Sequence, residues 1–149
     1  MKEHIIALIR DLDWQNEASV QSAAIDQLVT IDDNDIGLLI QPFGNKACWE
    51  NAALVLQKIG YPRIGAVTPA LLRWLADLNW PGANVVFELL LSVDNEVLIG
   101  NLNNALRMAK AENDFMWIDA MKELLVAKKI EEYFETPEMQ EILKLADRA

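Results

Sequence analysis

Histidine and cysteine, which carry much of nucleophilic and metal-assisted chemistry, occur once each in this chain, as His4 and Cys48. A Ser or Cys nucleophile needs a base beside it, and we expect His4 to be a solvated side chain in the first turn of an N-terminal helix. Cys48 precedes Trp49 at a predicted helix start, where its pKa could be lowered. A small buried residue at a helix junction is the simpler expectation. One His and one Cys exclude a disulfide framework and a Cys/His zinc site within one chain.

The acidic run Asp32-Asp33-Asn34-Asp35 is the nearest approach to a cation-binding loop. It lacks the alternating carboxylates and the distal Glu of a calcium loop, so helix capping explains it better. The glycines are scattered singly and form no phosphate-binding loop. We therefore predict no catalytic residues, no metal and no cofactor, and a protein that is not an enzyme.

Acidic residues outnumber basic ones by 23 to 13, which gives the 149-residue chain a formal net charge of −10. Nucleic acids and anionic membranes are both bound largely through Lys and Arg, so this balance argues against either partner. The first 35 residues contain only Lys2 and Arg10 against eight carboxylates. The apolar run Ile5–Ile9 is too short for an export signal, and no run approaches a membrane span. We expect a cytoplasmic protein.

Apolar side chains recur at intervals of three and four residues, the spacing of one helix face. Such stripes run from Ile64, from Asn95, and from Phe115 or Trp117. A further helix begins at Thr136-Pro137-Glu138, where a hydroxyl cap precedes proline at the first helical position. No alternating run and no Asn-Gly or Asp-Gly hairpin signal competes with these helices. The sequence predicts an all-α protein with a single domain, residues 1–149.

The tryptophans and their neighbours repeat along the chain. Asp11-Leu12-Asp13-Trp14 returns 66 residues later as Asp77-Leu78-Asn79-Trp80, and Trp49 lies between the two. A period of roughly 30–37 residues with two helices per unit is typical of an α-solenoid, whose units cover each other's apolar faces. We predict a short right-handed α-α superhelix of about four helix pairs plus a C-terminal capping helix. The approximate repeats are residues 1–43, 45–78, 79–110 and 113–149.

Two sets of strings resemble known families. Ala52-Ala53-Leu54 with Ile59-Gly60 and Val67-Thr68-Pro69-Ala70-Leu71-Leu72 is similar to the HEAT-repeat pattern, in which a helix ending in Leu-Gly precedes a Val-x-Pro-x-Leu helix. Over roughly residues 45–127 the chain also resembles domain of unknown function 5071, a family of small bacterial helical proteins. That resemblance is carried by Trp49-Glu50-Asn51-Ala52-Ala53, Gly60-Tyr61-Pro62-Arg63-Ile64 and Trp74-Leu75-Ala76-Asp77-Leu78-Asn79-Trp80-Pro81-Gly82-Ala83. It implies a HEAT/armadillo-like superhelix, with no established activity and no catalytic residues.

A solenoid presents an extended face lined by the second helix of each pair, and such faces usually bind proteins. The candidates for this protein-binding surface are Arg73, Asp77, Asn101, Asn104 and Arg107. Asparagine is a poor helix former, so the Asn-rich run around residues 101–104 indicates either a contact role or a solvated face. Our main hypothesis is a non-catalytic protein-binding module, a monomer or weak homodimer. A specific version is an immunity- or antitoxin-like inhibitor whose charge accelerates capture of a basic partner.

The tryptophans support a second hypothesis. Trp is a frequent interface hot spot, but at a repeating offset it favours the core between repeats. If Trp74 and Trp80 instead line a pocket with Asp77, the chain is an enzyme or a small-ligand-binding protein. A concave pocket of roughly 300–1,000 Å³ should then lie there. Stacking of an exposed end repeat on a second copy is a third hypothesis.

Overall fold

A computed structural model describes residues 2–149, and this part of the chain consists of helices joined by turns and contains no strand. The all-α prediction is confirmed. Eight α-helices follow one another: α1 Lys2–Arg10, α2 Ala18–Leu28, α3 Trp49–Ile59, α4 Thr68–Trp74, α5 Ala83–Leu90, α6 Asn95–Ala111, α7 Phe115–Lys128 and α8 Pro137–Lys144. Short 3-10 helices lie at Asp33–Leu39, Pro42–Gly44, Lys46–Cys48, Gly65–Val67, Glu131–Phe134 and Leu145–Arg148.

Side-chain caps fix where the later helices begin. The Asp94 carboxylate accepts the Glu96 N–H at 3.2 Å, and the α6 helix starts there. At α8, the Thr136 hydroxyl accepts the Met139 N–H at 3.3 Å, and Pro137 is the first helical residue. These bonds satisfy backbone donors that the first helical turn leaves free. Both starts are where the sequence predicts them.

Two α-helices fall within each predicted repeat interval, apart from one residue by which α6 passes residue 110. The second helix of the last interval is α8. It is the C-terminal helix predicted from Thr136. The 3-10 helix Leu145–Arg148 continues directly from α8 and packs on α7.

The α4 helix is shorter than the apolar stripe from Ile64 predicts. Its first turn is preceded by a 3-10 segment, in which the Thr68 hydroxyl donates to the Gly65 carbonyl at 2.7 Å. Beyond Trp74 the Asp77 carboxylate accepts the Asn79 N–H at 2.8 Å, forming a turn. Asp side chains compete with helix in this way, so the apolar spacing continues across a backbone that is not α-helical.

One hydrophobic core includes residues from all eight helices and runs from Leu8 to Ala146. At its centre the Trp49 ring meets the rings of Trp74 and Trp80 edge to face, with centroid separations of 6.2 and 5.8 Å. This is a favourable geometry for aromatic pairs.

The α3 and α5 helices approach closely at Gly82, whose φ is +84°. A Cβ at Gly82 would lie 2.8 Å from both the Ala53 Cβ and the Trp49 carbonyl oxygen, so only glycine fits. The Gly82 N–H donates to the Glu50 carboxylate at 2.8 Å. A carboxylate beside the start of α5 also suits the positive end of the helix dipole.

Candidate binding site

A concave groove of about 450 Å³ lies beside the packed helices α4 and α6. We call it the α4–α6 groove; it is lined by Pro69, Ala70, Arg73, Asn101, Asn104, Ala105, Met108, Glu112 and Trp117. Its volume is within the range typical of ligand sites in proteins. The lining combines an apolar floor with one guanidinium, one carboxylate and two side-chain amides.

Arg73 is held in the groove by two different contacts. Its guanidinium carbon lies 4.5 Å from the centroid of the Trp117 ring, a cation–π contact. Its Nη1 lies 2.8 Å from one Glu112 carboxylate oxygen and 3.1 Å from the other. Glu112 follows the last residue of α6, where the helix dipole disfavours a negative charge. The nearby cation of Arg73 offsets that cost.

Trp117 is the fixed part of the groove. Trp117 is only 1% exposed, and its indole N–H donates to the Leu72 carbonyl at 2.8 Å. This bond ties α7 to α4, so the surface under Arg73 is set by the core. Met108 on the rim is 51% exposed and offers a flexible apolar contact.

The asparagines supply polar groups one helical turn apart on α6. The Asn101 Nδ2 donates to the Val97 carbonyl at 2.8 Å. This bond does not use the Asn101 amide oxygen, which can accept a hydrogen bond from a partner. Asn103 bonds the Ile99 carbonyl at 2.9 Å in the same way. Bonds to the preceding turn explain how α6 accommodates these poor helix formers. Asn104, on the groove, is exposed.

Of the five predicted surface residues, Arg73, Asn101 and Asn104 come together in the α4–α6 groove. Arg107 points to α8, where its Nε and Nη2 donate to the two Glu138 carboxylate oxygens at 3.0 and 2.9 Å. The bond from Arg107, more than its charge alone, lowers the pKa of Glu138, and the Arg107 pKa is raised in turn. Asp77 forms the turn after α4.

The pocket predicted between Trp74 and Trp80 requires a correction. The Trp74 side chain is fully buried, and its indole N–H donates to the Pro81 carbonyl at 3.1 Å. Trp80 is partly buried against the same core and meets Trp49 edge to face. Trp74 therefore belongs to the packing between α3, α4 and α5 and lines no open pocket.

Met108, Glu112 and Trp117 belong to the groove but were not predicted as site residues. One sequence signal could have indicated Glu112, because a carboxylate at the end of a helix calls for a cation nearby. Trp117 shares its spacing with the core tryptophans, so residue type alone does not distinguish the two roles.

The remaining candidates for chemistry lie elsewhere. Cys48 is 1% exposed, and burial, with a smaller effect from the Asp13 charge, raises the pKa of its thiol. This is the opposite of the activation considered for a helix start. His4 is exposed on α1. Within residues 2–149 no three His, Cys, Asp or Glu side chains are grouped to hold a metal ion.

A family model described as Domain of unknown function (DUF5071) matches residues 49–148, about two thirds of the chain. The chain belongs to this family. All nine residues of the α4–α6 groove lie within the DUF5071 match, whereas α1, α2 and the segment up to Cys48 precede it.

Comparisons with curated proteins and with solved structures found no match. Across residues 2–149, every helix is too short or too polar to cross a membrane.

Proposed function

We propose that this DUF5071 protein is a non-catalytic protein-binding module whose α4–α6 groove takes a segment of a partner protein. The observation that carries the proposal is the meeting of Arg73, Asn101 and Asn104 beside the exposed Met108. Amide and guanidinium groups bind peptide backbone and side-chain oxygens, and Met adapts to varied apolar side chains.

The composition of the groove supports binding over covalent catalysis. Its nine lining residues include no Ser, Thr, Cys, His or Lys, and the one carboxylate among them, Glu112, is paired with Arg73. The two charged groups that it has, Arg73 and Glu112, neutralise each other. Such a lining suits recognition of a neutral stretch of peptide.

The proposed architecture is a HEAT/armadillo-like superhelix of the resembled type. Two helices per interval and contacts between consecutive pairs, such as α3 with α5 and α4 with α6, support this arrangement. In an α-solenoid the second helices of successive units lie side by side and form the binding face. A groove between α4 and α6, the second helices of two successive intervals, is where such a face would take a partner.

The proposed partner is basic, and the proposed role is that of an immunity- or antitoxin-like inhibitor in the cytoplasm, acting as a monomer or weak homodimer. The support is electrostatic. Of the 23 acidic residues, three form ion pairs within residues 2–149: Asp33, Glu112 and Glu138. The excess negative charge is therefore available to attract a cationic surface over distances near the Debye length.

Site-specific photo-crosslinking tests the groove. A photo-reactive phenylalanine analogue replaces Asn104, and a matched protein carries it at Gln57, which is exposed on α3. After irradiation in lysate from its own cells, we expect one discrete adduct at position 104 and none at position 57. Adding Arg73→Ala to the first protein should reduce the yield. Equal labelling at both positions, or none at 104, would contradict the proposal.

A second candidate function is small-ligand binding in the same groove, in place of the pocket expected around Trp74, Asp77 and Trp80. The volume of about 450 Å³ favours it. Native mass spectrometry of the protein purified from its own cells separates the two functions. In the mass spectra, a small-mass adduct that Asn104→Ala removes supports a ligand. In the crosslinking experiment, an adduct of protein mass at position 104 supports a protein partner.

A further inference from the structure

Two large aromatic side chains are half exposed at one junction outside the DUF5071 match. Trp14 is 52% exposed and follows α1; Phe43 is 51% exposed and lies in the short 3-10 helix Pro42–Gly44 before α3. The backbone N–H of Trp14 donates to the Ala47 carbonyl at 3.1 Å, and the Arg10 guanidinium carbon lies 5.6 Å from the centre of the Phe43 ring. Both residues thus lie where the end of α1 meets the segment before α3.

The backbone that presents Phe43 is strained. Gln41 and Phe43 have φ values of +39° and +60°, in a region of backbone conformation that residues other than glycine seldom adopt. The Gln41 Nε2 is buried without a hydrogen-bond partner in the described chain. Because about half of Phe43 is exposed to solvent, burial of its side chain offsets only part of this strain. Strained residues of this kind cluster at binding surfaces.

Negative charge is concentrated in the same part of the chain. Residues 2–48 contain three basic and eight acidic residues, whereas residues 49–149 contain ten and fifteen. About a third of the length therefore carries half of the net charge. Among partners within residues 2–149, Asp33 alone of these eight carboxylates forms an ion pair, with Arg63 at 2.7 Å.

We infer that the two rings, with the carboxylates Asp11, Asp13 and Glu17 between α1 and α2, dock a Lys- or Arg-bearing segment of a basic partner protein. We call this surface the Trp14–Phe43 patch. Arg10 on Phe43 shows the type of contact, a guanidinium over an aromatic face. The Trp14 ring is the stronger of the two cation–π acceptors, and the carboxylates supply the complementary charge.

This inference rests on the proposed protein-binding function but places a second contact outside the α4–α6 groove. The patch precedes the matched residues 49–148, so it would contribute to partner specificity from outside the DUF5071 match. Two separated contacts on one partner raise affinity through effective concentration.

Fluorescence anisotropy with the full chain and a labelled peptide of alternating arginine and glycine tests the patch. We expect Trp14→Ala and Phe43→Ala each to raise the Kd about three- to tenfold, and Trp14→Phe to retain most of the binding. Val126→Ala is the matched control, since Val126 is 49% exposed on α7, and it should leave the Kd unchanged. Circular dichroism establishes that each variant is folded.

A second pair of variants separates local recognition from general attraction. Glu17→Gln and Glu141→Gln remove one exposed carboxylate each and change the net charge equally. Only Glu17→Gln should weaken peptide binding. Equal effects of these two variants, or equal Kd values for Trp14→Ala and Val126→Ala, would overturn the inference.

The groove and the patch can fail independently. Asn104→Ala should not change the affinity for the arginine peptide, and Trp14→Ala should not move the crosslinked position from residue 104. Loss of crosslinking at 104 with intact Trp14-dependent peptide binding would remove the groove and keep the patch. The reverse result would remove the patch alone.

Discussion

The Arg73 guanidinium stacks on the Trp117 ring at 4.5 Å while the same side chain pairs with Glu112. Three elements meet at this point, because Arg73 belongs to α4, Glu112 directly follows α6 and Trp117 lies in α7. The floor of the groove is consequently continuous with the core packing, and a partner would meet a surface that is already ordered.

We predict that Arg73→Ala lowers the free energy of unfolding by about 1 kcal/mol. The effect is modest because the Arg73 and Glu112 side chains are 46% and 41% exposed, so solvent screens their attraction. Urea unfolding measures it. Arg107→Ala is the control: it removes a surface ion pair without an aromatic ring and should cost less. An equal loss in both variants would mean that the ring contributes nothing.

Gly82→Ala should destabilise the protein by about 3 kcal/mol or more, because the new methyl group meets Ala53 and the Trp49 carbonyl at a positive φ. Gly100→Ala provides the opposite case. Gly100 lies inside α6 with nothing within 4 Å of an added Cβ, so alanine should stabilise by about 0.5–1 kcal/mol. Thermal and urea unfolding of the pair tests both signs.

The contact between α6 and α8 should weaken in acid. Because Arg107 lowers the pKa of Glu138, the folded state favours the ionised carboxylate, and this contribution is present above the ordinary Glu pKa. It is lost as the pH falls through the lowered value. Glu138→Gln should therefore be less stable than the parent near neutral pH, and the difference should shrink below about pH 4. A difference independent of pH would contradict this.

Cys48 should react slowly with alkylating reagents. Its thiol is buried and its pKa is raised, so both access and the thiolate fraction are low. We expect alkylation of the folded chain to be on the order of a hundredfold slower, or more, than of the chain unfolded in urea at the same pH. Mass spectrometry of timed samples gives the two rates. Comparable rates would place Cys48 at an open surface.

The strain at Phe43 can be measured separately from its ring. Phe43→Gly and Phe43→Ala both remove the ring. The left-handed backbone at this position is unfavourable for alanine but not for glycine. We expect the glycine variant to be the more stable by about 1 kcal/mol. At Val20, inside α2, the order should reverse, with alanine better by about 1 kcal/mol. The same order at both positions would mean that Phe43 is unstrained.

Helix positions were predictable wherever caps and periodicity coincide. Asp94 and Thr136 mark the starts of α6 and α8 because a short polar side chain before an apolar stripe can accept a hydrogen bond from the first helical turn. The stretch between α2 and α3 was not predictable in detail. Its three short 3-10 helices have too few residues to show a period, and nothing in the residue types of Gln41 and Phe43 indicates a positive φ.

The site was predictable in part for a related reason. Arg73, Asn101 and Asn104 lie on the polar faces of amphipathic helices. When the apolar faces of these helices pack together, their polar faces are left on the same solvent-exposed surface. Trp74 was not predictable in this way, because the sequence pattern of a tryptophan near a polar residue is compatible with a pocket wall and with the core. Its contact with Trp49 depends on how closely α3 and α5 approach at Gly82, which is a tertiary property.

The edge-to-face cluster of Trp49, Trp74 and Trp80 has an optical consequence. Indoles with centroids 5.8 and 6.2 Å apart exchange excitation energy before they emit, and a fixed mutual orientation gives a signed near-ultraviolet circular dichroism band. Separation of Trp49 on α3 from Trp74 and Trp80 would remove this coupling while most of the helical signal persisted. The cluster is therefore an intrinsic chromophore that reports whether Trp49 is packed against Trp74 and Trp80, without any added dye.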